Sequence, residues 1–138
     1  MDLERAVDFA RAINRSVLIT IRRSGRPQLS NVLHQVSGDG IIRISITADR
    51  AKYKNLVREP WAALHVTSDD FYAYAVLEGG VELTPPAAAP DDATVEELVT
   101  YYRDAVGEHE NWDAYRAAMV ADRRVIARFR PDRAYGMS

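Results

Sequence analysis

The chain of 138 residues has no cysteine. It therefore has no disulfide framework, thiolate metal site or cysteine nucleophile. That absence fits a reducing, cytoplasmic setting. No run of about 18 apolar residues occurs, so no membrane-spanning helix is expected. Met1 to Arg15 mixes charged with apolar residues and does not read as a signal peptide. G-x-S-x-G, P-loop and G-x-G-x-x-G patterns are all missing, which removes support for classical hydrolase, nucleotide triphosphatase and Rossmann readings. His34, His65 and His109 lack metal-ligand spacing, and no metal is expected. A formal net charge of -2 argues against nonspecific nucleic-acid binding. Lysine is also scarce. Arginine supplies nearly all the positive charge, and Lys52 and Lys54 are the only lysines.

What is present is a run of short elements with clear punctuation. Leu3, Ala6, Val7, Ala10 and Ile13 have helical spacing, with Asp2 positioned to cap the helix. Ser16–Ile21 and Pro27–Val36 read as strands around the turn Arg23-Ser24-Gly25-Arg26. After Ser37-Gly38-Asp39-Gly40 comes a third strand, Ile41–Thr47, with Ile42, Ile44 and Ile46 on one face. Asp49 is placed to cap a short helix, Arg50–Arg58, which Pro60 stops. Trp61–Thr67 and Phe71–Leu83 are strands, the second with a bulge expected at Gly79-Gly80. A helical stripe of Val95, Leu98, Val99, Tyr102 and Val106 ends at Gly107. Asn111 caps a further helix carrying Trp112, Tyr115 and Met119. Val125, Ala127 and Phe129 mark a final strand. Hairpin-linked strands with a few helices predict one α+β domain, residues 1–138, built on an antiparallel β-barrel.

Two stretches could carry chemistry. In the Arg50–Arg58 helix, Lys52 and Asn55 share a face, and Arg50 neighbours Lys54. Cationic side chains around a helix N-terminus suit a phosphate. An ordinary solvated helix face explains the same pattern. In the strand opening GRPQLSNV, Gln28 and Ser30 face one way and Asn31 the other. Buried polar groups need partners, because an unsatisfied one costs roughly 1–3 kcal/mol. Those partners are either neighbouring backbone or the polar edge of a ligand, and a water-facing edge strand needs neither. Tyr72 and Tyr74 are expected on one strand face, as core or as cover for a bound ring. Asp69-Asp70 and Asp91-Asp92 read as turn and cap residues. His34 and His65, in expected strands, read as satisfied core residues.

The order of the stretches carries a resemblance. G-R-P-Q-L-S-N-V is followed by a strand ending I-S-I-T, then R-A-K-x-x-N-L, Y-A-V-L-E-G and T-P-P-A-A-A-P-D-D. From Ser16 to Gly136 the chain resembles the split β-barrel flavin and deazaflavin oxidoreductases. It is most similar to the actinobacterial group, related to pyridoxamine 5′-phosphate oxidase, that uses coenzyme F-420, an 8-hydroxy-5-deazaflavin. The resemblance implies an antiparallel split β-barrel with peripheral helices, the FMN-binding split-barrel fold. It also implies a homodimer with two cofactor sites at its interface. Arg50, Lys52 and Asn55 would then hold the cofactor phosphate. Ser45, Ile46 and Thr47 would line the adjacent strand edge, largely through backbone. Gln28, Ser30 and Asn31 would lie along the ring and its chain. Tyr72 and Tyr74 would close the site, from either subunit. The implied activity is hydride transfer from reduced F-420 to an unsaturated or conjugated small-molecule acceptor. FMN in the same fold and a non-catalytic deazaflavin-binding protein are the alternatives. No side chain is assigned as proton donor.

Overall fold

The computed structural model describes residues 1–138. Its six strands close into an antiparallel barrel of order β1-β2-β3-β6-β5-β4. They are β1 (Arg15–Ile21), β2 (Pro27–Val36), β3 (Ile42–Thr47), β4 (Trp61–Thr67), β5 (Tyr74–Leu83) and β6 (Arg124–Met137). Four helices flank it: α1 (Leu3–Ala12), α2 (Ala51–Arg58), α3 (Ala93–Ala105) and α4 (Trp112–Ala121). This is an α+β split barrel, as expected. No helix is long and apolar enough to cross a membrane.

Strand alternation builds the core. Leu18, Ile42, Ile44, Ile46, Leu64, Leu77 and Phe129 all point inward and are fully buried. Asp2 caps α1 by accepting the Arg5 backbone N–H at 2.8 Å, and α1 buries Ala6 and Ala10 against the barrel. Their small side chains let the helix approach closely. Ile126 points the opposite way from its strand neighbours. There it joins Val95, Leu98, Val99, Tyr101 and Tyr115 in a second apolar cluster beneath the α3–α4 hairpin. Asp92 and Asn111 cap these helices. Glu97 of α3 is clamped by Arg43 at 2.9 Å and Arg128 at 2.8 Å, which ties the hairpin to β3 and β6.

The bulge falls between Glu78 and Gly79. Any Cβ at Gly79 would lie 2.1 Å from the Arg130 carbonyl oxygen, so the close strand approach there requires glycine.

Some boundaries differ from the sequence reading. Asp49 does not cap α2. Its carboxylate pairs with Arg123 at 3.0 Å, and Arg50 takes the cap position with no side-chain bond. β5 begins at Tyr74, because Phe71 adopts φ +76 in the preceding turn, so Tyr72 and Tyr74 do not share a strand face. On α2 the buried residues are Asn55 and Leu56, whereas Val57 is exposed. The final strand runs on to Met137.

The barrel is split on one side. β2 pairs with β3 only from His34↔Ile44 to Val36↔Ile42. The next pair in that register would be Leu33 opposite Ser45. Instead the Tyr101 hydroxyl from α3 occupies the gap. It donates to the Leu33 carbonyl at 2.7 Å, and its own oxygen is faced by the Ser45 backbone N–H. Beyond this plug β2 stays with β1 and β3 stays with β6. A cleft opens between them.

Candidate functional site

The cleft's end at α2 is a pocket of about 460 Å³ lined by Gln28 and Ser30 of β2, Thr47 of β3, Arg50, Ala51 and Lys52 at the start of α2, and Arg124 of β6. Alternation explains the β2 contribution, since Gln28 and Ser30 share a face. Turning the chain after Thr47 brings the α2 N-terminus over the open strand ends. No acidic residue occupies the first turn of α2 and no side chain caps it, so its free N–H donors end at the pocket wall.

Electrostatically the pocket is one-sided. Its lining holds three cationic side chains and no carboxylate. The Lys52 ammonium is held below its ordinary pKa, first by partial burial and then by the charges of Arg124 and Arg50. The Arg124 Nε–H is buried with no hydrogen-bond partner. Its nearest carboxylate oxygen, on Asp122, stands 3.8 Å away, close enough for attraction but too far for a hydrogen bond. An orphaned donor beside two like charges is what a bound phosphate would relieve.

Asn55 stands behind this wall. It is buried, and its Nδ2 donates to Thr20 Oγ1 at 3.1 Å and to Gln28 Oε1 at 2.9 Å. Its Oδ1 accepts from Arg58 at 3.1 Å. With Oε1 engaged, the Gln28 amide keeps its N–H donors for the pocket. Asn55 thus orients Gln28.

The remaining candidates are spread along the cleft and beyond it. Ser45 and Asn31 line an adjoining recess that also includes Lys52 and Arg124. Ile46 is fully buried in the barrel core, so only its backbone reaches the strand edge. Tyr74 packs edge-on against His65 with centroids 5.7 Å apart, away from the cationic pocket. Tyr72 is 83% exposed on the β4–β5 turn. Within one chain these two tyrosines are not brought to the pocket. His34 sits in the core, with Nε2 donating to the Ala10 carbonyl at 2.8 Å and Nδ1 facing Ser16 Oγ at 2.7 Å.

Arg124 is the residue that sequence reasoning missed. It opens β6 directly opposite Thr47. The one local signal is the Arg123-Arg124 pair after α4. Its relevance appears only once β3 and β6 are known to pair.

A family model described as pyridoxamine 5′-phosphate oxidase matches residues 3–138. The chain belongs to the pyridoxamine 5′-phosphate oxidase family. Among solved structures, a member of this fold described as an F-420 reductase is 26% identical, with a TM-score of 0.70 over 98% of this chain and 97% of that one. A conserved hypothetical protein from Mycobacterium tuberculosis is 21% identical, with a TM-score of 0.76 over 100% of this chain and 85% of that one. The heme storage protein HutZ from Vibrio cholerae is 14% identical, with a TM-score of 0.71 over 99% and 96%. The last two likenesses are of fold alone. Flavin-type cofactors are the family's chemistry, and the pocket's donors suit their phosphate.

Proposed function

We propose that this protein is a cytoplasmic homodimeric reductase that moves hydride from reduced coenzyme F-420 to an unsaturated or conjugated organic acceptor. The observation that carries this reading is the pocket of Arg50, Lys52 and Arg124, which has no neutralising carboxylate. Arg50, Lys52, Arg124 and the α2 N-terminus would hold the phosphate. Gln28, positioned by Asn55, and Ser30 would donate to the adjoining chain, and the backbone of Ser45, Ile46 and Thr47 would border it. When bound, the deazaflavin supplies the hydride. The chain's task is to fix the ring and leave one face open to the acceptor.

The charge pattern favours F-420 over FMN. From Arg15 to Val36 there is no Asp or Glu, nor is there one from Arg50 to Arg58. Arg22, Arg23, Arg26 and Lys54 therefore extend the positive field beyond what one phosphate needs. An oligoglutamate tail would use that excess. The solved F-420 reductase at 26% identity supports the same choice.

A dimer is supported by exposed apolar side chains on the barrel. Leu29 is 62% exposed and Met137 65%. A second copy would cover such a surface, and it could bring Tyr72 and Tyr74 to a partner's cleft. Sedimentation of the purified protein tests the dimer.

The cofactor test is a fluorescence titration with F-420 and, in parallel, FMN. Tight F-420 binding with weak FMN binding is expected. A protein purified yellow and saturated with FMN would replace this reading with the flavoprotein one. Turnover of an acceptor panel above the protein-free rate separates a reductase from a storage protein.

A further inference from the structure

The cleft does not end at the cationic pocket. On the far side of Lys52 and Arg124 it continues into a recess of about 380 Å³ under the α3–α4 hairpin. There the lining changes character, to Leu33, Tyr102, Val106, Tyr115 and Met119. Tyr102 and Tyr115 have ring centroids 5.0 Å apart. Trp112 backs both, at 5.8 Å from Tyr102 and 5.6 Å from Tyr115. The Tyr115 hydroxyl is committed to the Leu98 carbonyl at 3.0 Å, and burial pushes its pKa up to about 12, so it stays neutral. The recess therefore offers aromatic faces and a thioether on one side and two cations at its inner mouth. Neither the phosphate nor the tail of the proposed cofactor needs those faces.

We propose that this recess is a separate subsite for an aromatic carboxylate, its ring against Tyr102, Tyr115 and Met119 and its acid group on the recess side of Arg124 and Lys52. Three features select this class. The volume lies at the low end of ligand pockets and suits one or two fused rings. The aromatic edges and sulfur favour a flat π system over a branched aliphatic one. The shared cations favour an anion over a neutral isostere. Sharing Arg124 and Lys52 would set this ligand beside whatever the first pocket holds, so under the reading above the bound acid would be an acceptor. That assignment as acceptor rests on the cofactor reading. The subsite itself does not.

The test is calorimetric titration of the full chain with 2-naphthoate and with its neutral isostere 2-naphthamide, alongside the F-420 titration. 2-Naphthoate should bind, and 2-naphthamide about tenfold more weakly. Val106→Trp, at an exposed lining position, should fill the recess. It should weaken 2-naphthoate at least about tenfold while changing F-420 affinity by less than about twofold. Met119→Phe narrows the same space from α4 and should act in the same direction. Arg50→Gln, which lines only the first pocket, should do the reverse. Absence of 2-naphthoate binding, or binding indifferent to both filling variants, would overturn the subsite. Competitive displacement of 2-naphthoate by F-420 would also overturn it, by giving the recess to the cofactor's own ring. Absence of F-420 binding to the unsubstituted protein, with 2-naphthoate bound normally, would sink the cofactor reading and leave the subsite standing.

Discussion

Lys52 and Asn55 sit three residues apart on one helix, yet the structure gives them opposite jobs. Lys52 lines the pocket, where its charge is opposed by partial burial and by Arg124 and Arg50. Asn55 is 5% exposed and holds Thr20, Gln28 and Arg58 together. Substituting each should separate stability from binding. Asn55→Ala strands the Thr20 hydroxyl, which is 1% exposed. One unsatisfied buried group costs about 1–3 kcal/mol. Gln28 is half-buried and can turn to water, and Arg58 keeps its bond to the Ile21 carbonyl at 2.6 Å, so neither adds much. The expected loss is about 2 kcal/mol, with F-420 affinity falling only about two- to threefold because Gln28 loses its anchor but not its donors. Lys52→Gln should leave stability unchanged or slightly raised, since it removes a partly desolvated charge from among like charges. Its affinity for F-420 should fall by about 1–3 kcal/mol, roughly 5- to 150-fold, for a lost charge-assisted contact. Urea unfolding and fluorescence titration on the same two proteins give both numbers. If Asn55→Ala loses as much affinity as Lys52→Gln and keeps full stability, Asn55 touches the ligand and the assignment of roles is wrong.

Further consequences concern pH, charge and backbone. Burial holds the His34 pKa below its ordinary 6.5, outweighing the ring's hydrogen bonds to the backbone of Ala10 and Ile13. The unfolded chain therefore takes up the proton first, so stability should be full above about pH 6.5 and fall as pH drops toward the folded-state pKa. Denaturant midpoints measured across that range should flatten in His34→Gln; an unchanged slope would remove His34 as its source. Arg124→Gln should weaken phosphate-bearing ligands and raise the Lys52 pKa toward its ordinary value, readable from the lysine side-chain nitrogen by NMR. A Lys52 signal that does not move would show that Arg124 does not act on it. Gly79→Ala should cost about 3 kcal/mol or more, because the strands must part to admit a methyl group. A melting temperature within a degree or so of the parent would show that the bulge adjusts freely.

The fold was legible wherever one local cue decided the outcome. Pro27–Val36 and Trp61–Thr67 were read with their observed ends, because β-branched and aromatic runs are bounded there by turn residues. The caps at Asp2 and Asn111 and the bulge at Gly79 carry their reasons in the side chain, or in its lack. Asp49 failed because a cap competes with any cation the tertiary fold supplies, and the fold supplied Arg123. Tyr72 failed because alternation was extended through a turn in which Phe71 takes a positive φ. The pocket was legible on β2 and α2, where its residues cluster in sequence. Arg124 was invisible because nothing local distinguishes it from the chain's other arginines. What selects it is the β3–β6 register, which sets it opposite Thr47. Asn55 shows a subtler limit. Helical spacing correctly put it on the face of Lys52, but a helix face is wide enough to hold both a rim and a buried floor. Tyr101 shows the same limit at larger scale. Its place at the split depends on a contact with Leu33 across a sequence interval of 68. The opening that makes the site is therefore a property of tertiary contact, while its charge is a property of two short segments.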